Sequence, residues 1–151
     1  MRVSAKADYA VRAAAELAAA EEGPIKGIRL AEAQDIPLQF LEHILLELKH
    51  NGIVRARRGA KGGYWLAKPA DEVTIAEIVR AVEGPIAHVQ STPPEAIEYR
   101  GNSVPLQEVW IAVRASLRSV LEEVTLADLV SGDLPSIVTE LAATPDAWAA
   151  R

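Results

Sequence analysis

Around Asn51-Gly52 the apolar residues change their period, and with it the kind of structure they can build. Up to His50 they recur every three or four residues. Leu41, Ile44, Leu45 and Leu48 form one stripe of a helix that begins near Pro37, a residue suited to a first helical turn. Beyond Asn51-Gly52, which closes that helix, two short strand-like segments appear, Ile53 to Arg57 and Tyr64 to Ala67. Between them lies a glycine-rich loop, Arg58-Gly59-Ala60-Lys61-Gly62-Gly63, so the pair reads as a hairpin.

The flanks complete one unit. Ser4 to Ala20 is an Ala-rich helix with Tyr9, Ala13 and Leu17 on one face. Asp8, Arg12 and Glu16 form a charge ladder on another face, and Glu22-Gly23-Pro24 stops the helix. A short helix, Arg29 to Gln34, ends at Asp35-Ile36-Pro37. After the hairpin, Thr74 and Glu77 have the spacing of a capping box. The helix they open turns Ile75, Ile78, Val79 and Val82 inward and ends at Gly84-Pro85. Residues 1–85 therefore read helix, helix, helix, hairpin, helix.

Residues 86–104 hold no period and read as a long loop. Pro105 to Val124 comes next as a long amphipathic helix carrying Val109, Ala112, Val113, Ser116, Leu117, Val120, Leu121 and Val124. Short helices are expected at Thr125–Leu129 and Leu134–Ala143. Three regions result: 1–85, a loop at 86–104, and a helical region at 105–151. The expected fold class is mainly α with a small β-hairpin.

The net charge of −5 hides a division. The first 70 residues carry 11 Lys and Arg against 8 acids, and the remaining 81 carry 5 against 13. From Arg55 to Lys68 there are five basic residues and no acid. Such asymmetry fits nucleic-acid contact, and a solvated loop is the bland alternative. The absence of cysteine excludes disulfides, thiolate nucleophiles and cysteine-held iron–sulfur clusters. No apolar run is long enough to span a membrane and no signal core opens the chain, so a cytoplasmic protein is expected.

A short helix, a tight turn and a polar-faced helix are the order of a helix-turn-helix, and a basic glycine-tipped hairpin directly after it is the wing of a winged-helix domain. Such a helix enters the major groove of double-stranded DNA with its N-terminal residues on base edges, here Gln39, Phe40, Glu42 and His43. Gln pairs with adenine, Glu accepts from cytosine and an exposed Phe covers a thymine methyl; a core role for Phe40 is the alternative. In the wing, Gly59, Gly62 and Gly63 would let backbone approach DNA, while Arg57, Arg58 and Lys61 bind phosphates or reach into the minor groove. A nucleotide-phosphate loop is excluded because the glycines run into a strand rather than opening a helix. His43, His50 and His88 have no metal-site spacing, and no nucleophile–base pair or paired carboxylate motif suggests an enzyme.

Seven segments, in order, resemble the Rrf-two family of bacterial winged-helix transcriptional regulators. They are Met1 to Ala13, Phe40 to Leu45, Asn51 to Gly59, Gly62 to Tyr64, Thr74-Ile75 with Ala81 to Pro85, Leu106 to Trp110, and Thr125 to Leu129. The resemblance implies a homodimer paired through the helix at 105–124 that binds an operator of two-fold symmetry, most simply as a repressor. By position it places Gln39, Phe40 and Glu42 among the recognition contacts and Arg58 as the wing arginine. Many members hold an iron–sulfur cluster on three cysteines. Here Ser91 and Val104 stand at the first and third of those positions and Gln107 where some members have His, so no cofactor is expected. A small-molecule or protein effector is left open. The alternative function is a protein-interaction module that keeps the fold without DNA recognition.

Overall fold

Four of the five buried positions on the first helix are alanines, which decides how closely its neighbours approach. The computed structural model describes residues 2–21 and 23–150; of the expected stop at Glu22-Gly23-Pro24, Glu22 lies outside them. Helix α1, Ala5–Ala19, starts at Ser4, whose hydroxyl accepts a hydrogen bond from the Ala7 N–H at 3.0 Å. Ala7, Ala10, Ala13 and Ala14 give it a flat buried face with Leu17 at its end. Helices α2 (Gly27–Gln34), α3 (Leu38–His50), α4 (Ile75–Glu83) and α6 (Leu126–Ser131) all pack against α1. The volume that alanine leaves is filled from those neighbours by Leu30, Leu41, Ile44, Leu45, Leu48, Ile78 and Leu126.

Strands β1 (Val54–Arg57) and β2 (Gly63–Leu66) pair antiparallel, Val54 opposite Leu66 and Arg57 opposite Gly63. Ile25 adds one more rung, which the sequence pattern does not contain. Its N–H donates to the Tyr64 carbonyl at 2.9 Å and its carbonyl accepts from Tyr64 at 2.8 Å. This ties the hairpin to the start of α2.

Two threonines join residues 1–85 to the C-terminal helical region. Residues 73–75 and 124–126 run antiparallel, Leu126 N–H to Val73 O and Ile75 N–H to Val124 O, both 2.9 Å. Each middle residue then caps a helix, Thr74 for α4 and Thr125 for α6. The capping box expected at Thr74–Glu77 forms only in half. Thr74 accepts from the Glu77 N–H, but the Glu77 carboxylate is taken by Lys68. The complete box is at Thr125–Asp128, where Asp128 accepts from the Thr125 N–H and hydroxyl at 2.8 Å. Those two bonds hold the Asp128 carboxyl below its usual range.

The segment 86–104 carries more order than its lack of period suggests. Val89 and Thr92 exchange two backbone hydrogen bonds of 2.9 Å around Gln90-Ser91, and 3-10 turns form at Pro94–Ala96 and Gly101–Ser103. Pro94 is buried. The side-chain amide of Gln107 donates to the carbonyls of Pro94, Glu95 and Ile97 at 3.2, 3.3 and 3.0 Å. Arg114 pairs with Glu95 at 2.7 Å. Both anchors are on α5 (Leu106–Leu121), so the segment is strapped to that helix. A last helix, α7 (Ser136–Ala142), packs on α5 as well.

Candidate nucleic-acid interface

Helix α3 divides cleanly. Leu41, Ile44, Leu45 and Leu48 are fully buried, while Gln39, Phe40, Glu42, His43, Leu46 and Lys49 face outward. The turn before it is tight: Asp35 takes a left-handed conformation (φ 51°), and the Ile36 N–H reaches back to Ala31 O at 2.9 Å. Pro37 stands one residue ahead of the helix, as its N-cap, with no side-chain hydrogen bond. The helix therefore starts without a side-chain cap and is nonetheless retained. The first turn also lacks acid, so the positive end of α3 is open to an anion.

Phe40 stands outside the buried core, against the core alternative. It is 39% exposed, and its ring meets the Tyr9 ring edge to face, centroids 5.7 Å apart at 82°. Gln39, Glu42 and His43 are exposed around it.

The wing is built by a backbone that folds back on itself. Gly62 N–H donates to Gly59 O at 3.0 Å, and an Arg57 guanidinium nitrogen donates to Lys61 O at 3.1 Å. Arg58, Gly59 and Lys61 stand exposed at the tip. Gly62 is buried, and a Cβ there would lie 2.0 Å from the Arg57 carbonyl oxygen. A Cβ on Gly63 would lie 2.5 Å from Ile25 O. The need for glycine at these two positions comes from the protein's own backbone. Gly59, with φ 101° and open space around it, is the one free to meet another molecule closely.

Helix and wing enclose one groove, lined by Glu42, Leu46, Lys49, Arg57, Arg58 and Tyr64. Among the described residues, Arg55, Arg57, Arg58 and Lys61 form no ion pair, whereas Lys68, the fifth base of the run, is held by Glu77. Two bases join this face that the sequence pattern passes over. Lys49 comes two helical turns after Glu42, and the Lys26 ammonium donates to Gly59 O at 3.2 Å. The seven-residue spacing could have found Lys49; only the Ile25–Tyr64 pairing brings Lys26 to the wing. An exposed polar helix face with a cluster of unpaired bases beside it suits a polyanion with readable edges.

A family model described as an iron-dependent transcriptional regulator, Rrf2, matches residues 3–132. The chain belongs to the Rrf2 family. A Mycobacterium tuberculosis protein named as an HTH-type transcriptional regulator is 50% identical over 143 residues, which cover 94% of this chain and 89% of that protein. The solved structure of CymR, the global cysteine regulator of B. subtilis, has a TM-score of 0.73 and 33% identity, covering 87% of this chain and 98% of that one. T. potens IscR gives 0.71 and 31%, covering 87% and 88%. The Rrf2 winged-helix fold is therefore that of this chain, and its function is that of a DNA-binding transcriptional regulator rather than an enzyme. Among the described residues no helix is long and apolar enough to cross a membrane.

The iron in the Rrf2 description meets a donor set that does not suit it. The chain has no cysteine. Ser91 is exposed at the tip of the Val89–Thr92 turn, Val104 is an exposed apolar side chain, and Gln107 spends its amide on three carbonyls. None of the three offers a thiolate or imidazole, so these residues do not fit an iron–sulfur cluster. The described residues also hold no group of three His, Asp or Glu able to bind a metal ion.

Proposed function

We propose that this protein is a homodimeric, sequence-specific, cluster-free repressor that binds a two-fold symmetric operator. The single observation that supports this most is the groove shared by Glu42 on α3 and Arg57 and Arg58 on the wing. It sets a base-reading face beside phosphate-binding charge. In this reading α3 lies in the major groove, with Gln39, Phe40, Glu42 and His43 on base edges. Arg57, Arg58, Gly59 and Lys61 engage the adjacent backbone or minor groove, with Gly62 and Gly63 shaping the loop that presents them. Residues 1–85 carry DNA, 86–104 strap α5, and the region from 105 pairs two copies through α5, which buries no residue in a single copy and leaves Val109 half exposed.

Selection of bound duplexes from a random pool tests the reading. The expected product is an inverted repeat whose half-site centres lie about one helical turn, roughly 10 base pairs, or a multiple of it apart. Recovery of unrelated sequences, with no enriched repeat, would overturn sequence specificity. A repressor further requires that the selected site, placed over a promoter, lowers transcription in vitro when protein is added.

A further inference from the structure

We infer that Tyr9 and Arg12, both on α1, are positioning residues for base readout: they set where Phe40 meets the duplex. The inference rests on the proposed function, in which α3 enters the groove. Its starting point is the missing cap. With no side-chain hydrogen bond at Pro37, the first turn of α3 lacks the clamp that usually fixes a helix start. Phe40 is the third residue of that helix, and its ring meets Tyr9 edge to face at 5.7 Å.

Tyr9 is in turn held by Arg12. The Arg12 guanidinium carbon lies 5.2 Å from the Tyr9 ring centroid. Every guanidinium nitrogen has a partner. Nη1 meets Asp8 Oδ2 at 3.1 Å, Nε donates to Gln34 Oε1 at 3.0 Å, and Nη2 donates to the Gln34 carbonyl. Gln34 is the last residue of α2, and its amide donates to Glu16. The second rung of the expected Asp8–Arg12–Glu16 ladder is thus replaced by a link through Gln34. One arginine grips the beginning of the helix-turn-helix turn and, through Tyr9, the first turn of the helix after it.

The Arg12 and Asp8 side chains are 34% and 55% exposed, a setting in which ion pairs contribute little. What the planar fork supplies is direction, two contacts to one residue at a fixed angle, which an ammonium does not reproduce.

The test measures, for the full-length protein, the ratio of affinity for its best selected duplex to affinity for a scrambled duplex. The variants are Tyr9→Leu, Tyr9→Phe and Arg12→Lys, with circular dichroism and melting as controls of folding. Tyr9→Leu and Arg12→Lys are expected to lower the ratio about three- to tenfold, the size of one aromatic contact. Scrambled-duplex affinity, carried by the wing, stays unchanged. Tyr9→Phe keeps the ring and restores the ratio. In a Phe40→Ala background, Tyr9→Leu has no further effect. An unchanged ratio in folded Tyr9→Leu protein, or an equal loss with and without Phe40, overturns the positioning role and leaves the DNA reading standing. Wild-type protein that binds neither duplex overturns both.

Discussion

Glycine is where single residues explain most. The three wing glycines look alike in the sequence, yet they answer to different constraints. Gly62 and Gly63 are forced by carbonyls of Arg57 and Ile25, and only Gly59 is set by its conformation alone. Gly62→Ala is therefore expected to cost on the order of 2 kcal/mol or more, because the neighbour is backbone and has nowhere to go. Gly59→Ala, strained but unobstructed, should cost about 1 kcal/mol. Urea denaturation of the two variants checks this, and equal losses would mean that the close approach at Gly62 relaxes freely. The composition of the wing is legible in the sequence, but the division of labour is not. A one-residue rung such as Ile25–Tyr64 has no period to detect. Phe40 shows the same limit: spacing places it beside the buried stripe of α3, but its partner Tyr9 comes from another helix.

At the scale of elements, local rules find helices well and their closures less well. The apolar stripe of α3 and the outward face that carries Gln39, Glu42 and His43 both result from a period of 3.6. A capping box, by contrast, depends on whether its acid is free. Glu77 is drawn to Lys68, nine residues earlier in the chain, while Asp128 has no such competitor and closes the box at Thr125. The strap at 86–104 escapes those rules because its order comes from Gln107 and Arg114 on α5 rather than from its own pattern. It has a pH consequence. Hydrogen bonding at Glu95, first from backbone and then from Arg114, holds its carboxyl below the usual range, as the Thr125 bonds do for Asp128. A carboxyl depressed in the folded state adds stability that is present above its unfolded pKa and lost as pH falls through the folded one. Melting temperature should accordingly decline below about pH 4, and Glu95→Gln and Asp128→Asn should each flatten that decline. Variants that melt in parallel with wild type across this range would remove both groups from the acid response.

For the whole molecule, the net charge of −5 is an average over a basic first 70 residues and an acidic remainder. More of the acids lie in the second half of the sequence, and among the described residues Arg55, Arg57, Arg58 and Lys61 form no ion pair, so an acidic chain keeps a basic face for DNA. The second half also leaves α5 with no buried residue in a single copy and with Val109 half exposed. Val109→Glu should leave the protomer's melting within about 0.5 kcal/mol but shift micromolar protein from dimer to monomer in sedimentation. A wild-type protein that sediments as a monomer would contradict pairing through α5. The central claim, that α3 and the wing together bind DNA, is tested most directly by one salt titration. Affinity for the selected duplex is measured from about 50 to about 200 mM salt for wild type and for Arg58→Ala. Contact with roughly six to ten phosphates per dimer predicts a fall of roughly 10³–10⁵ for wild type, and a weaker, shallower response for a folded Arg58→Ala protein. An affinity that does not change with salt, or an Arg58→Ala line that overlays wild type, would contradict it.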